Sequence, residues 1–348
     1  YIDRLSRTPA VMEMPYNDII RKFIDMYAGR LRNQVSFMLS ACNFYMPIFE
    51  EALDAYGLPL ELRYLPIIES ALNPSAVSRA GASGLWQFMI GTGKIYGLES
   101  NSLVDERRDP IKATWAAARY LKEMYDIYGD WNLVIAAYNC GPGTINKAIR
   151  RANGETDYWK IYNYLPKETR GYVPAFIAAN YVMTYYCDHN ICPMETNIPA
   201  STDTVQVNKN LHFEQIADLC NVPLDQIKSL NPQYKKQIIP GDNKPYTLRL
   251  PIEAISTFID RQDTIFAHRA DELFRNRKTV AVKEISPSTR RAATAVAGKG
   301  KPTYYKIKSG DTLSSIAEKY GVRVKDIQRW NGMSNTKIAA GKRLKIYK

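Results

Sequence analysis

Apolar residues recur three and four positions apart through the first two hundred residues, and the spacing changes beyond Pro199. In IKATWAAARYLKEMYDIYGDW, Ala117, Leu121, Met124 and Tyr128 stand at i, i+4, i+7 and i+11, which predicts a helix that Gly129 stops. A second helical pattern runs through VSFMLSACNFYMPIFEEALDAYG and is closed by Gly57 and Pro59. No alternating pattern of any length interrupts this region, so residues 1–200 are expected to form a helical domain with an N-terminal helical extension.

Beyond Pro199 the chain repeats itself at an offset of 100 residues. TVQVNKNLHFEQIADLCNVPLDQIKSLNP aligns with YYKIKSGDTLSSIAEKYGVRVKDIQRWNG, matching Ile216 with Ile316, Ala217 with Ala317, Val222 with Val322, Ile227 with Ile327, Asn231 with Asn331 and Gly241 with Gly341. Each copy predicts a strand with apolar residues two apart (Val205 and Val207; Tyr305 and Ile307), two short helices, and a closing strand (Leu248 and Leu250; Leu344 and Ile346). PIEAISTFIDRQDTIFAHRADELFRNR between them reads as mainly helical, which sets a second domain at 201–285. SPSTRRAATAVAGKGKP has no core-forming pattern, so 286–301 is expected to be a flexible linker to a last domain at 302–348.

Charge sharpens this division. The chain carries +12 overall, and residues 286–348 alone hold 15 Lys and Arg against 3 acidic residues, so everything before them is neutral. A basic tail of this kind seeks a polyanion: nucleic acid, an anionic membrane or an acidic wall polymer. Only Tyr304, Tyr305, Tyr320, Trp330 and Tyr347 offer stacking surfaces there, and the small domain's core needs some of them, so nucleic acid is not expected as a partner. No apolar run approaches the roughly 20 residues of a membrane span. The five cysteines contain no C-x-x-C pair and only three histidines accompany them, so no metal and no cofactor are expected. Cys187 and Cys192 are near enough in sequence to pair, and burial as small apolar side chains is the expectation for most of the five.

The last copy, YKIKSGDTLSSIAEKYGVRVKDIQRWNGMSNTKIAAGKRLKI, resembles a LysM module, the βααβ domain that binds chains containing N-acetylglucosamine. In that family the loop after the first strand and the loop before the second flank a shallow groove. The resemblance therefore implies glycan contacts at Gly310, Asp311 and Thr312 on one side and at Ile338 and Gly341 on the other. The first copy has Lys209-Asn210-Leu211-His212-Phe213 where the last has its SGDTL stretch, and it carries the insertion DNKPY in the closing loop. Its fold is expected to survive; spacer and working glycan site stand as equal alternatives.

The helical part poses a sharper question, because Glu69 ends the apolar run Leu65-Pro66-Ile67-Ile68. Four short motifs follow one another: Glu69-Ser70, Gly84-Leu85-Trp86-Gln87, Ala137-Tyr138-Asn139 and the Tyr172 of ETRGYVP, with NPSAVS and NCGPG between them. Together they resemble the family 1 lytic transglycosylases, of the membrane-bound murein transglycosylase D type that joins such a domain to LysM modules. Trp86 replaces the usual Met of the second motif.

The resemblance implies a mainly α chain, in which a goose-type-lysozyme-like catalytic domain precedes two βααβ domains. It also implies a monomer whose partner is the glycan strand of peptidoglycan, working in the periplasm or cell envelope and kept near a membrane by an N-terminal lipid segment trimmed from this chain.

Cutting a glycosidic bond requires a proton for the leaving oxygen, and a carboxyl supplies it at neutral pH only where burial raises its pKa. Leu65 to Ile68 are expected to be that apolar wall for Glu69, with Tyr172 acting on its carboxyl. No second acid is assigned to the motifs; Asp105, Glu106 and Asp109 are expected to pair with the adjacent Arg107 and Arg108. Gln87, Asn139 and Ser78 are candidate contacts to the N-acetylated sugar, Tyr138 a stacking surface or a packing residue, and Ser70 a local cap near the substrate. A goose-type lysozyme using water, and a wall-binding protein without catalysis, are the rival readings.

Overall fold

The computed structural model describes residues 1–274 except 9, 197 and 200, and beyond them 303–307, 313–320, 322, 324–331, 333 and 341–346. The expected linker at 286–301, and with it Gly310, Asp311, Thr312 and Ile338, lie outside the described residues. The chain divides into two compact units, 1–285 and 286–348.

Among the described residues ten α-helices build the first two hundred positions: α1 (Ile2–Arg7), α2 (Asp18–Ala28), α3 (Arg32–Ala55), α4 (Leu65–Ser70), α5 (Ile90–Ile95), α6 (Pro110–Tyr128), α7 (Trp131–Cys140), α8 (Pro142–Arg151), α9 (Tyr158–Ile161) and α10 (Lys167–Thr184). The two helices read from periodicity are α3 and α6. Asp109 caps α6 by accepting from the Ile111 and Lys112 amides at 3.0 Å each, Pro110 takes the first position, and Gly129 ends it at φ +62°. Small residues on α6 and α7, Ala113, Ala117, Ala136 and Ala137 among them, are fully buried and let the helices approach closely.

The centre is α10, which packs against α2, α4 and α7. Its Pro174 has no N–H for the carbonyl of Arg170, four residues back. The Tyr158 hydroxyl, 2.9 Å away, donates to that carbonyl instead. A proline thus sits within one turn of Tyr172 without leaving that buried acceptor unpaired.

The first repeat forms β1 (Thr202–Val207), β2 (Asn210–His212), α11 (Phe213–Cys220), α12 (Leu224–Leu230), β3 (Ile238–Pro240) and β4 (Tyr246–Pro251). β1 and β4 are antiparallel with Val205 opposite Leu248, and β2 pairs separately with β3. Helices α13 (Ile252–Asp260), α14 (Gln262–Ala267) and α15 (Ala270–Leu273) follow, α13 against β1 and β4. The second repeat has strands β5 (Thr303–Lys306) and β6 (Arg343–Ile346) around helices Leu313–Tyr320 and Val324–Trp330. Both copies use one polar device at the same place. Asn231 donates to the Ile227 and Arg249 carbonyls and accepts from the Arg249 amide; Asn331 does the same with Ile327 and Lys345.

Each repeat has its own apolar core, and that of the first also takes in Leu103 and Val104 from the helical part. All five cysteines are free. Cys187 and Cys192 are exposed and unpaired, Cys42 and Cys140 are half-buried and only Cys220 is buried, which corrects the expectation of burial for most of them.

Candidate active site

Glu69 lies in the last turn of α4, whose Leu65, Pro66 and Ile67 are buried. Ala71 and Leu72 follow in the left-handed region, at φ 50° and 59°, and turn the chain away at once. The carboxyl is thereby left against apolar surroundings with little water, and desolvation pushes its pKa up from 4.5 to about 7. The Tyr172 hydroxyl donates to Glu69 Oε1 and opposes part of that rise. Burial, then the charge of Glu69, raise the pKa of Tyr172 and of Tyr138 well above the phenol value, so three titratable groups share one enclosed space.

Glu168 adds to the effect. It is exposed on the first turn of α10, four residues before Tyr172, and its negative charge pushes the Glu69 pKa further up. This corrects the reading that no acid accompanies the motifs; the i, i+4 spacing within ETRGYVP was the available signal.

The second motif is a tight loop tied at many points. Gly84 has φ +88°, and a Cβ there would stand 1.7 Å from the Arg107 carbonyl oxygen. Gln87 adopts φ +48° while its Nε2 donates to the Gly84 and Ala76 carbonyls at 2.7 and 3.2 Å. Trp86 is fully buried with its Nε1 donating to Thr114 Oγ1 at 2.9 Å and its ring edge-on to Phe49. An indole in place of Met therefore costs no unpaired donor.

Hydrogen bonds join this loop to two of the other motifs. Ser70 Oγ donates to the Pro66 and Leu85 carbonyls at 3.0 and 2.9 Å, so its hydroxyl anchors the loop to α4. Tyr138 donates to the Trp86 carbonyl at 2.6 Å, with its ring among Tyr120 and Phe88. Asn139 is bound through Oδ1, which accepts from Thr169 Oγ1 of α10 at 2.8 Å. Ser78 stands apart, exposed in a turn closed by its own Oγ accepting from the Ala82 amide.

The acids of DERRDP divide differently from expectation. Arg107 and Asp105 form a bidentate pair at 2.8 and 2.7 Å with both side chains only 4% exposed. Glu106, however, pairs with Lys112, Asp109 caps α6, and Arg108 donates to Ser83 Oγ. No local pattern signals that Arg107 Nη1 holds the carbonyls of Gly81 and Phe88, both at 2.9 Å, or that Thr169 orients Asn139. Of the expected LysM contacts Gly341 alone is described, at φ +90°, donating to the Ile307 carbonyl. Among the described residues no group of three or more His, Cys, Asp or Glu could hold a metal ion, and no helix is long and apolar enough to cross a membrane.

Comparison with known proteins assigns families to the helical part and to both repeats. The Transglycosylase SLT domain family matches residues 46–161, the LysM-like domain of lytic transglycosylase MltD matches 201–267, and the LysM domain matches 305–346. The membrane-bound lytic murein transglycosylase D of Escherichia coli K12 is 31% identical, over 96% of this chain and 70% of that protein. The soluble lytic murein transglycosylase of the same strain is 33% identical over 34% of this chain and 19% of its own length. The crystal structure of the 70 kDa soluble enzyme from Escherichia coli aligns with 41% of this chain and 24% of that one, at 29% identity and a TM-score of 0.36. With an SLT domain over the first three motifs, LysM families over both repeats and a relative 31% identical across 96% of it, the chain belongs to the membrane-bound lytic murein transglycosylase D family.

Proposed function

We propose that this chain cuts peptidoglycan strands between N-acetylmuramic acid and N-acetylglucosamine without water, using Glu69 first as acid and then as base. The observation that supports this reading is the Glu69 carboxyl, desolvated, bonded to Tyr172 and with its pKa pushed up to about 7. With Tyr172 on Oε1, Oε2 is the oxygen that delivers the proton. That proton passes to the glycosidic oxygen as its bond to C1 of the muramic sugar breaks, and the sugar's own N-acetyl oxygen, or a stabilised oxocarbenium ion, carries the positive centre. The C6 hydroxyl of the same sugar then attacks C1 and returns its proton to Glu69. The acid is regenerated and the product ends in a 1,6-anhydro ring.

Supporting roles follow from the hydrogen bonds each side chain has left. Asn139 has Oδ1 committed to Thr169 and offers Nδ2 to the N-acetyl carbonyl; Gln87 has Nε2 committed to the loop and offers Oε1. Ser70 and Tyr138 act through the loop they hold, and Ser78 is an outer contact. The C-terminal LysM module is the wall anchor, through Gly310, Asp311, Thr312, Ile338 and Gly341. We assign the four segments 1–200, 201–285, 286–301 and 302–348 to catalysis, LysM-like support, tether and anchor. The site of action is the cell envelope, with the chain as a monomer near a membrane.

Mass analysis of fragments from purified sacculi tests the reading. Anhydro-ended muropeptides, lighter than their reducing counterparts by one water, are expected; reducing ends would make the chain a lysozyme, and intact sacculi a binding protein.

A further inference from the structure

The first repeat departs from the second at two places, KNLHF and the insertion DNKPY, and the structure puts both to use. The loops that would flank a glycan groove are zipped together: Asn210, Leu211 and His212 pair with Pro240, Ile239 and Ile238. Asp242 accepts from the Asn210 amide at 3.1 Å and from Asn210 Nδ2 at 2.6 Å. A Cβ on Gly241 would stand 2.2 Å from the Lys209 carbonyl oxygen, so the two backbones touch. Amide and carbonyl groups that an open groove would offer to N-acetyl groups are bonded to each other.

The insertion faces the helical part instead. Lys244 pairs with Glu99 at 2.7 Å, and the Tyr246 hydroxyl donates to the same carboxylate at 3.0 Å. Beside them Val104 bridges Tyr234 in antiparallel fashion, the Asp105 amide donates to the Gln233 carbonyl and the Lys235 amide to the Leu103 carbonyl. Leu103 and Val104 are buried in the repeat's own core. The next residue, Asp105, holds Arg107 bidentately, and Arg107 holds Gly81 and Phe88 at the two ends of the loop that carries Gln87.

We infer that the first LysM-like repeat is a brace for the catalytic loop and not a glycan site, with Glu99 and Asp105 as positioning residues that transmit its support through Arg107. The inference rests on the cleavage proposed above. It predicts that loosening the strut displaces the Gln87 loop, and with it the wall around Glu69, without removing any group that touches substrate.

Two full-chain variants test it on short soluble glycan fragments. Asp105→Asn keeps the carboxyl's shape and removes the charge that grips Arg107; Tyr246→Phe keeps the ring and removes only its bond to Glu99. Misplacement of a positioned group can cost about 100-fold, so Asp105→Asn is expected to lower kcat on that order and Tyr246→Phe about 3-fold, with KM changed less than about 2-fold. In both, the upper limb of the kcat profile should move to lower pH as water reaches Glu69. Should Asp105→Asn fail to fold, Tyr246→Phe carries the same test. A folded variant with unaltered kcat and pH limb, or a loss confined to KM, overturns the brace.

A second measurement is independent of catalysis and decides the brace even if the unaltered chain releases no anhydro-ended fragment and the cleavage reading itself falls. Amide hydrogen exchange across 81–88 is expected to rise at least about 10-fold in either variant. In cleavage-dead Glu69→Gln, the amides of Asn210, Leu211 and Gly241 should not respond to N-acetylglucosamine tetramer. Unchanged exchange, or saturable shifts at those amides, overturns the inference.

Discussion

Glu69 keeps its proton near neutrality because its surroundings cannot hydrate the charge, and this has two separable readouts. Cleavage requires the protonated acid, so kcat should hold below pH of about 7 and fall above it. Glu69→Gln should remove cleavage and leave binding to sacculi. It should also reveal what the burial costs. A carboxyl whose pKa rises from 4.5 to about 7 on folding stabilises the native state below the unfolded value, and that contribution is lost as pH rises through the folded one. Relative to the unaltered chain, Glu69→Gln should therefore be more stable at pH 8 by on the order of 2–3 kcal/mol and equal to it at pH 4, as denaturant midpoints at the two pH values would show. Glu168→Gln removes a like charge, so the upper limb of the rate profile should shift to lower pH with turnover at pH 5.5 within about 3-fold. Collapse of turnover would make Glu168 a reacting group. Tyr172→Phe should lower kcat more than it weakens substrate binding, because the hydroxyl acts on the acid.

At the scale of elements, the loop from Ala76 to Phe88 depends on what its neighbours leave free. Gly84→Ala would drive a methyl into the Arg107 carbonyl at a positive φ, and a loss of about 3 kcal/mol or more is expected, seen as a lowered melting temperature with loss of turnover. Thr114→Val would leave the buried Trp86 indole N–H unpaired, at about 1–3 kcal/mol. How much of this could be read beforehand follows from the range of the interactions. The end of α6 was legible because Gly129 acts on its own backbone, whereas its start was not, since Asp109 reads equally as a partner for the adjacent arginines; Glu69 was legible because an acid after four apolar residues breaks a local rule. The grip of Arg107 on Gly81 and Phe88, the bond of Thr169 to Asn139 and the contact of Tyr246 with Glu99 join residues 19 to 147 positions apart, which no local pattern encodes. Ser70 and Gln87 were legible as members of motifs; that their hydroxyl and amide nitrogen bind the loop's own backbone was not, because side-chain type does not name the partner.

For the molecule as a whole, charge and repeat point to a division of labour between its two compact units. Residues 286–348 carry all the excess positive charge, so deleting them should weaken binding to insoluble sacculi, less so at high salt, and leave turnover on short soluble fragments nearly unchanged. Lost turnover on those fragments would mean that the tail completes the cleft. No such cut is open on the other side of the first repeat. Leu103 and Val104, synthesised early, belong to one apolar core with Val207, Leu211, Phe213 and Tyr234, more than a hundred residues later. During synthesis the two side chains must wait, exposed, until the chain has grown beyond residue 234 and the repeat can close over them. The helical part is thus the first to be made but is finished only together with the first repeat, and a chain stopped at residue 200 is expected to leave Leu103 and Val104 exposed as an apolar edge.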